Sequence, residues 1–183
     1  MKRVLICTGL LFAATTLLAQ QAAPKKPPLS PPATASASVN GKNITITYSS
    51  PRVRGREGAI FTKDGLISKD PHYPVWRAGA NAATTLETSS DLMIGNLHVP
   101  AGTYTLFVDI SDPAHWVLIV SKATGEWGLS YDPTKDLGKT PMTMSKPAAM
   151  VEDLTYTLTD DNGNGTLTLA WEDVSASVNF MVH

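Results

Sequence analysis

Apolar and polar residues alternate along most of the chain beyond residue 40. Ile44, Ile46 and Tyr48 take turns with Thr45 and Thr47. The same period of two returns at Tyr104, Leu106, Val108 and Ile110, at Trp116, Leu118 and Val120, and at Leu154, Tyr156 and Leu158. Leu167, Leu169 and Trp171, then Ala176, Val178, Phe180 and Val182, carry it to the end. Side chains on a strand point alternately to its two faces, so each run predicts a strand with one face in a core. Between the runs stand residues that accept positive φ or start turns: Asn40-Gly41, Gly95-Asn96, Ala101-Gly102, Ser111-Asp112-Pro113 and the cluster at 160–165. No window keeps a 3.6-residue apolar period, so the crossover helices of a parallel sheet are missing. The pattern predicts an all-β fold, an antiparallel β-sandwich of about eight to ten strands, with a β-barrel as the alternative. Residues 50–73 and 125–139 are the least regular, and loops on a rigid sheet scaffold are where function usually sits.

The first 34 residues read differently. Lys2 and Arg3 precede an apolar run from Val4 to Ala19, the basic, apolar, small-residue order of a secretory signal peptide. The run is shorter than the ~20 residues a spanning helix needs. Residues 1–19 are therefore expected to be a signal peptide and residues 20–34, which include PKKPPLSPP, a Pro-rich linker. Residues 35–183 are expected to form a single domain. The protein is expected in the periplasm or secreted, with no membrane span after cleavage. Cys7, the one cysteine, lies in the signal, so the mature chain has neither a disulfide nor a thiol. Asn43 and Asn164 begin glycosylation sequons, which carry no weight behind a signal of bacterial character.

Composition adds bounds. A chain of 183 residues, 43% hydrophobic and 17% charged, is ordinary for one globular domain and excludes disorder and collagen. Charge is unevenly spread. Residues 24–77 hold nine basic and three acidic side chains, whereas residues 78–183 hold four and thirteen. All four arginines beyond the signal, Arg52, Arg54, Arg56 and Arg77, fall in the first of these spans. One reading is that the two halves face each other and neutralise through ordinary surface pairs. The other is an anion site, because the planar guanidinium fork suits carboxylate, phosphate or sulfate oxygens. On an extended backbone Arg52, Arg54 and Arg56 would share one face. Trp76, Arg77 and Asn81 set an indole, a guanidinium and an amide around Gly79.

Other chemistry is thin. Asp160, Asn162, Asn164 and Gly165 match the first half of a calcium loop, but its twelfth position is Trp171, and a hairpin loop explains the cluster better. His72, His98, His115 and His183 have no ligand spacing, so no metal is expected. No Walker loop, dinucleotide fingerprint or Gly-x-Ser-x-Gly elbow appears, and no cofactor is expected. An exported, slightly acidic chain is not expected to bind nucleic acid.

Several segments in fixed order resemble one family. They are Tyr48 to Arg56, Val75 to Thr84, Pro100 to Tyr104, Glu126-Trp127-Gly128 with Tyr131-Asp132-Pro133, and the closing strands around Trp171-Glu172. Together they resemble the domain of unknown function 2911 family over about Ala35 to Val182. The resemblance implies an exported bacterial β-rich domain without an assigned activity. The leading expectation is a non-enzymatic envelope module that binds an anionic or sugar-like ligand at Arg54, Arg56, Trp76, Arg77 and Asn81. The alternatives are a hydrolase of envelope polymers with paired carboxylates such as Glu57 and Asp132, and an interaction domain that adds a strand to an open sheet edge.

Overall fold

The computed structural model describes residues 27–162 and 164–183. The expected signal peptide and the first part of the linker lie outside the described residues. The chain opens with a hairpin of β1 (Pro32–Val39) and β2 (Lys42–Ser49), paired from Pro32 opposite Ser49 to Val39 opposite Lys42. Asn40 and Gly41 connect them with φ of 51° and 74°, the doubly left-handed turn that matches the twist of flanking strands. A loop over 50–74 follows, with one 3-10 turn at Ile67–Lys69. Then come β3 (Val75–Trp76), β4 (Thr84–Thr88), β5 (Leu92–Ile94), β6 (Leu97–Val99), β7 (Gly102–Asp109) and β8 (Val117–Ser121). After a second irregular stretch come β9 (Asp136–Pro141), β10 (Thr143–Ser145), β11 (Val151–Asp161), β12 (Asn164–Glu172) and β13 (Val174–Val182).

The strands form two antiparallel sheets. The first runs β1-β2-β4-β7-β8-β9 with β3 beside β7, and the second runs β11-β12-β13-β5-β6 with β10 beside β13. Neither sheet closes on itself, so the fold is a β-sandwich and the barrel does not form. At the borders β1 lies against β11 and β6 against β9. Among the described residues the strands number thirteen rather than eight to ten, because β3, β5, β6 and β10 have only two or three residues each. Strands that short cannot display a period of two.

The expected linker is also shortened. Pro32 to Thr34 already pair with Thr47 to Ser49, and Pro31 O accepts a hydrogen bond from Ser50 N at 2.8 Å. Proline is tolerated there because β1 is an edge strand, whose outward side needs no N–H. Among the described residues no helix is long and apolar enough to cross a membrane.

The alternating residues point inward as expected, and Ile44, Ile46, Leu106, Val108, Leu118, Val120, Leu167, Leu169 and Trp171 are all buried. In the middle of β7 and β8 the opposite face is buried too, at Phe107 and Ile119. The segment after β8 crosses that face: the Tyr131 ring lies 4.8 Å from Phe107, and Thr105 Oγ1 donates to Ala123 O at 2.6 Å. At one end of the sandwich the 50–74 loop folds inward and buries Val53, Ile60 and Ile67. Its Phe61 ring meets Trp76, Trp116 and Trp171 at 5.7, 5.0 and 5.7 Å. Trp76 of one sheet and Trp171 of the other stack at 6.0 Å with 18° between their planes.

Candidate functional site

The arginine run does not extend. Arg54 and Gly55 are both left-handed, with φ of 53° and 68°, so the chain turns back and the expected common strand face is not made. Gly55 allows this at little steric cost. Arg56 N donates to Val53 O at 3.2 Å, and the Arg56 side chain clamps the same turn through Nε to Val53 O at 2.8 Å and Nη2 to Arg52 O at 2.5 Å. The turn reaches a related result by another route. Arg52, Arg54 and Arg56 all line one cavity of about 420 Å³.

Trp76, Arg77 and Asn81 line the same cavity, so the structure brings all five expected site residues together. Trp76 forms its floor with Trp171, and both indoles are core residues, 1% and 2% exposed. Asn81 is left-handed, with φ of 59°. Its Nδ2 donates to Ser30 O at 3.4 Å, while Arg54 Nη2 donates to Leu29 O at 2.8 Å. Leu29 and Ser30, expected in the linker, thus form a wall.

Arg77 is held on two sides. Nη2 donates to Asp70 Oδ2 at 3.0 Å and Nη1 to Asn81 O at 3.4 Å. This pair is largely sheltered, with side chains 18% and 6% exposed. Asp70 Oδ1 also accepts from His72 N at 3.0 Å. Lys69 and Asp70 were not singled out from sequence, and no spacing rule links a loop carboxylate to an arginine seven residues on.

Acidic residues of the second half do come against the arginine loop. Arg52 Nε meets Asp153 Oδ1 at 2.6 Å, and Glu152 Oε1 accepts from Arg54 N at 3.0 Å. Glu172, buried and left-handed in the β12–β13 turn, accepts from Gly58 N and ties the loop to the second sheet. Neutralisation across the halves therefore accounts for Arg52. Arg56 and Arg77 have no carboxylate partner in the acidic half among the described residues.

The backbone beneath the site is strained and firmly held. Ala78 has φ of 50°, and its carbonyl accepts from Tyr156 Oη at 2.9 Å and Thr84 Oγ1 at 3.1 Å. Burial pushes the Tyr156 phenol far above its ordinary value, which fixes it as a donor. Of six non-glycine residues at positive φ among those described, Arg54, Ala78, Asn81 and Glu172 belong to or adjoin this cavity. Such conformations cost of order 1–3 kcal/mol each and gather at functional sites.

The other candidates fare differently. Asp132 lines a second cavity, of about 820 Å³, with His72, Glu126, Lys122 and Lys135, whereas Glu57 lines neither cavity. Asp132 Oδ1 is taken by Thr134, whose N and Oγ1 donate at 2.9 and 2.7 Å. The Glu57–Asp132 pair expected from sequence does not share a cavity, because Glu57 is exposed on the 50–74 loop and only His72 of that loop lines the cavity of Asp132. In the calcium-like cluster Asp160 and Asp161 of β11 pair with Gly165 and Asn164 of β12, as the hairpin reading expects. Among the described residues no three His, Cys, Asp or Glu side chains group as metal ligands.

Neither the curated proteins nor the solved structures contain a match to this chain. A family model does match, over residues 30–180, a span that takes in nearly all of both sheets and every cavity-lining residue except Leu29. The chain therefore belongs to the family described as Protein of unknown function (DUF2911).

Proposed function

We propose that the protein is an envelope binding module that captures an anionic ligand in the arginine cavity, without catalysing a reaction. The observation that carries this reading is the imbalance around the cavity. Arg52, Arg54, Arg56, Lys69 and Arg77 line it; Asp153 takes Arg52 and Asp70 takes Arg77, which leaves Arg54, Arg56 and Lys69 without a salt-bridge partner among the described residues. Several donors remain unspent among the described residues: Nε and Nη1 of Arg54, Nη1 of Arg56, Nε of Arg77 and Nζ of Lys69. Like charges around one concavity repel until an anion or water fills it, and the forks of the partly buried Arg56 and Arg77 favour the anion. The hydrolase alternative loses its Glu57–Asp132 pair, since Glu57 does not line the cavity that holds Asp132. Strand addition is disfavoured at borders that lie close to each other, β1 to β11 and β6 to β9, although they are not hydrogen-bonded.

Melting curves at matched ionic strength in chloride, sulfate, phosphate and glucuronate test the reading. One anion should stabilise wild type over the others. Arg54→Lys should weaken that effect by about 1.5–3 kcal/mol of binding energy, since lysine keeps the charge and loses the fork. Identical wild-type curves in all four salts would overturn it.

A further inference from the structure

The anion reading leaves the size of the cavity and its rim unexplained. A volume of about 420 Å³ is in the range of sites for organic ligands and exceeds what a phosphate or acetate fills. Its indoles offer nothing to stack on, because Trp76 and Trp171 are spent on each other and on Phe61. The exposed indole is Trp127, with 58% of its surface open.

Trp127 is not on a loose tip. Its backbone forms an isolated antiparallel bridge with Ala82, directly after the cavity residue Asn81. Gly128 N donates to Asn81 O at 3.2 Å, Ala83 N to Glu126 O at 3.4 Å and Ser130 N to Trp127 O at 2.8 Å. Gly128 fits so closely that a Cβ there would stand 2.5 Å from Asn81 O and 2.6 Å from Arg77 Cδ. A rigid backbone thus presents a large open aromatic beside the arginine cavity. Glu126 and Leu129, on either side of it in sequence, line the second cavity. A ligand that uses all three features is long enough to cross Trp127, carries an anionic group and has an apolar face for the indole. It also has hydroxyls to pair with Ser30, Asn81 and the polar rim of the second cavity.

We propose that the ligand is an acidic oligosaccharide, with one carboxylate in the arginine cavity and a neighbouring ring on Trp127. This rests on the anion reading above and adds the ligand class and a contact residue outside the cavity. An indole face suits the C–H face of a pyranose, and the guanidinium forks suit a uronate carboxylate. The acidic peptide is the rival with the same charge, and it lacks a flat apolar face at every unit.

Binding of trigalacturonate is measured on wild type, Trp127→Ala and Trp127→Phe by calorimetry, with tryptophan emission followed in parallel. Tetraglutamate and phosphate serve as comparison probes. Trp127 is the one exposed tryptophan of four, so the part of an emission shift that disappears in Trp127→Phe reports on the rim rather than on the floor indoles. Trigalacturonate should shift wild-type emission, bind about tenfold or more weakly to Trp127→Ala, and recover in Trp127→Phe, while phosphate binds all three alike. Unchanged trigalacturonate affinity in Trp127→Ala, or tetraglutamate binding as tightly as trigalacturonate, would overturn the saccharide assignment and leave the anion reading standing. Failure of phosphate and trigalacturonate alike to bind wild type would overturn both.

Discussion

Trp171→Ala tests the cavity floor and the joint between the sheets together. The indole is 2% exposed, stacks on Trp76 at 6.0 Å and meets Phe61 edge-on at 5.7 Å, and its Nε1 donates to Glu152 O at 3.3 Å. Truncating a buried tryptophan to alanine costs about 3–5 kcal/mol in transfer and cavity terms. Two aromatic pairs at about 0.5–1.5 kcal/mol each place this site toward the upper end of that range, near 5 kcal/mol. For a domain of this size each kcal/mol lowers Tm by roughly 2–4 °C, so the expected fall is about 10–20 °C. Trp171→Phe keeps an aromatic in the stack and should lose about half as much. Thermal melts followed by far-UV circular dichroism, repeated as urea titrations, give the measurement. A fall below about 3 °C for the alanine variant would refute the reasoning, because it would mean the indole does not join the two layers.

Arg77→Ala leaves the sheltered Asp70 carboxylate without its guanidinium and should cost about 3–5 kcal/mol by urea titration, with Arg77→Lys losing clearly less. Gly128→Ala, whose Cβ would meet Asn81 O and Arg77 Cδ, should lower Tm and weaken anion binding together. Gly165→Ala drives a Cβ into the Phe180 ring and should lower Tm while leaving anion affinity unchanged. Acid should destabilise the fold through three aspartates whose carboxyls are held below their ordinary value of 3.8: Asp91 by Ala101 N–H, Asp112 by the His115 side chain and Asp132 by the Thr134 hydroxyl. A depressed folded-state value contributes stability that is present above 3.8 and lost as pH falls through the folded values, so Asp91→Asn should flatten the melt-versus-pH curve below about pH 4.

The long strands were legible because a half-buried sheet writes its geometry as a period of two, and Trp171 could be placed inward from Leu167 and Leu169 alone. The double burial of β7 and β8 was not, since it depends on residues 123–131 returning over Phe107 from elsewhere in the chain. The arginine cluster was visible as composition, but its shape was set by Gly55, whose left-handed backbone converts an extended run into a turn. Gly55 was in plain sight, and reading it as a turn signal would have given the geometry. Asp70 and Glu172 could not be found this way. Each acts through a contact between segments distant in the chain or unrelated by any local spacing, and only the folded arrangement pairs them with Arg77 and Gly58.

The Trp76–Trp171 stack has one more consequence. The two rings come from opposite layers, so the depth of the cavity cannot change unless the layers slide over each other and the core is repacked. The rim is built differently, from the turn at 52–56, the 27–31 segment and the bridge at Trp127, and it reaches the second sheet through the exposed Arg52–Asp153 pair and through Glu152. The floor therefore carries much of the stability, and the rim carries less of it at Arg54 and Trp127, whose side chains are exposed. Substitutions at those two exposed positions reshape the mouth of the cavity while the floor keeps its form, at little cost to the melting temperature.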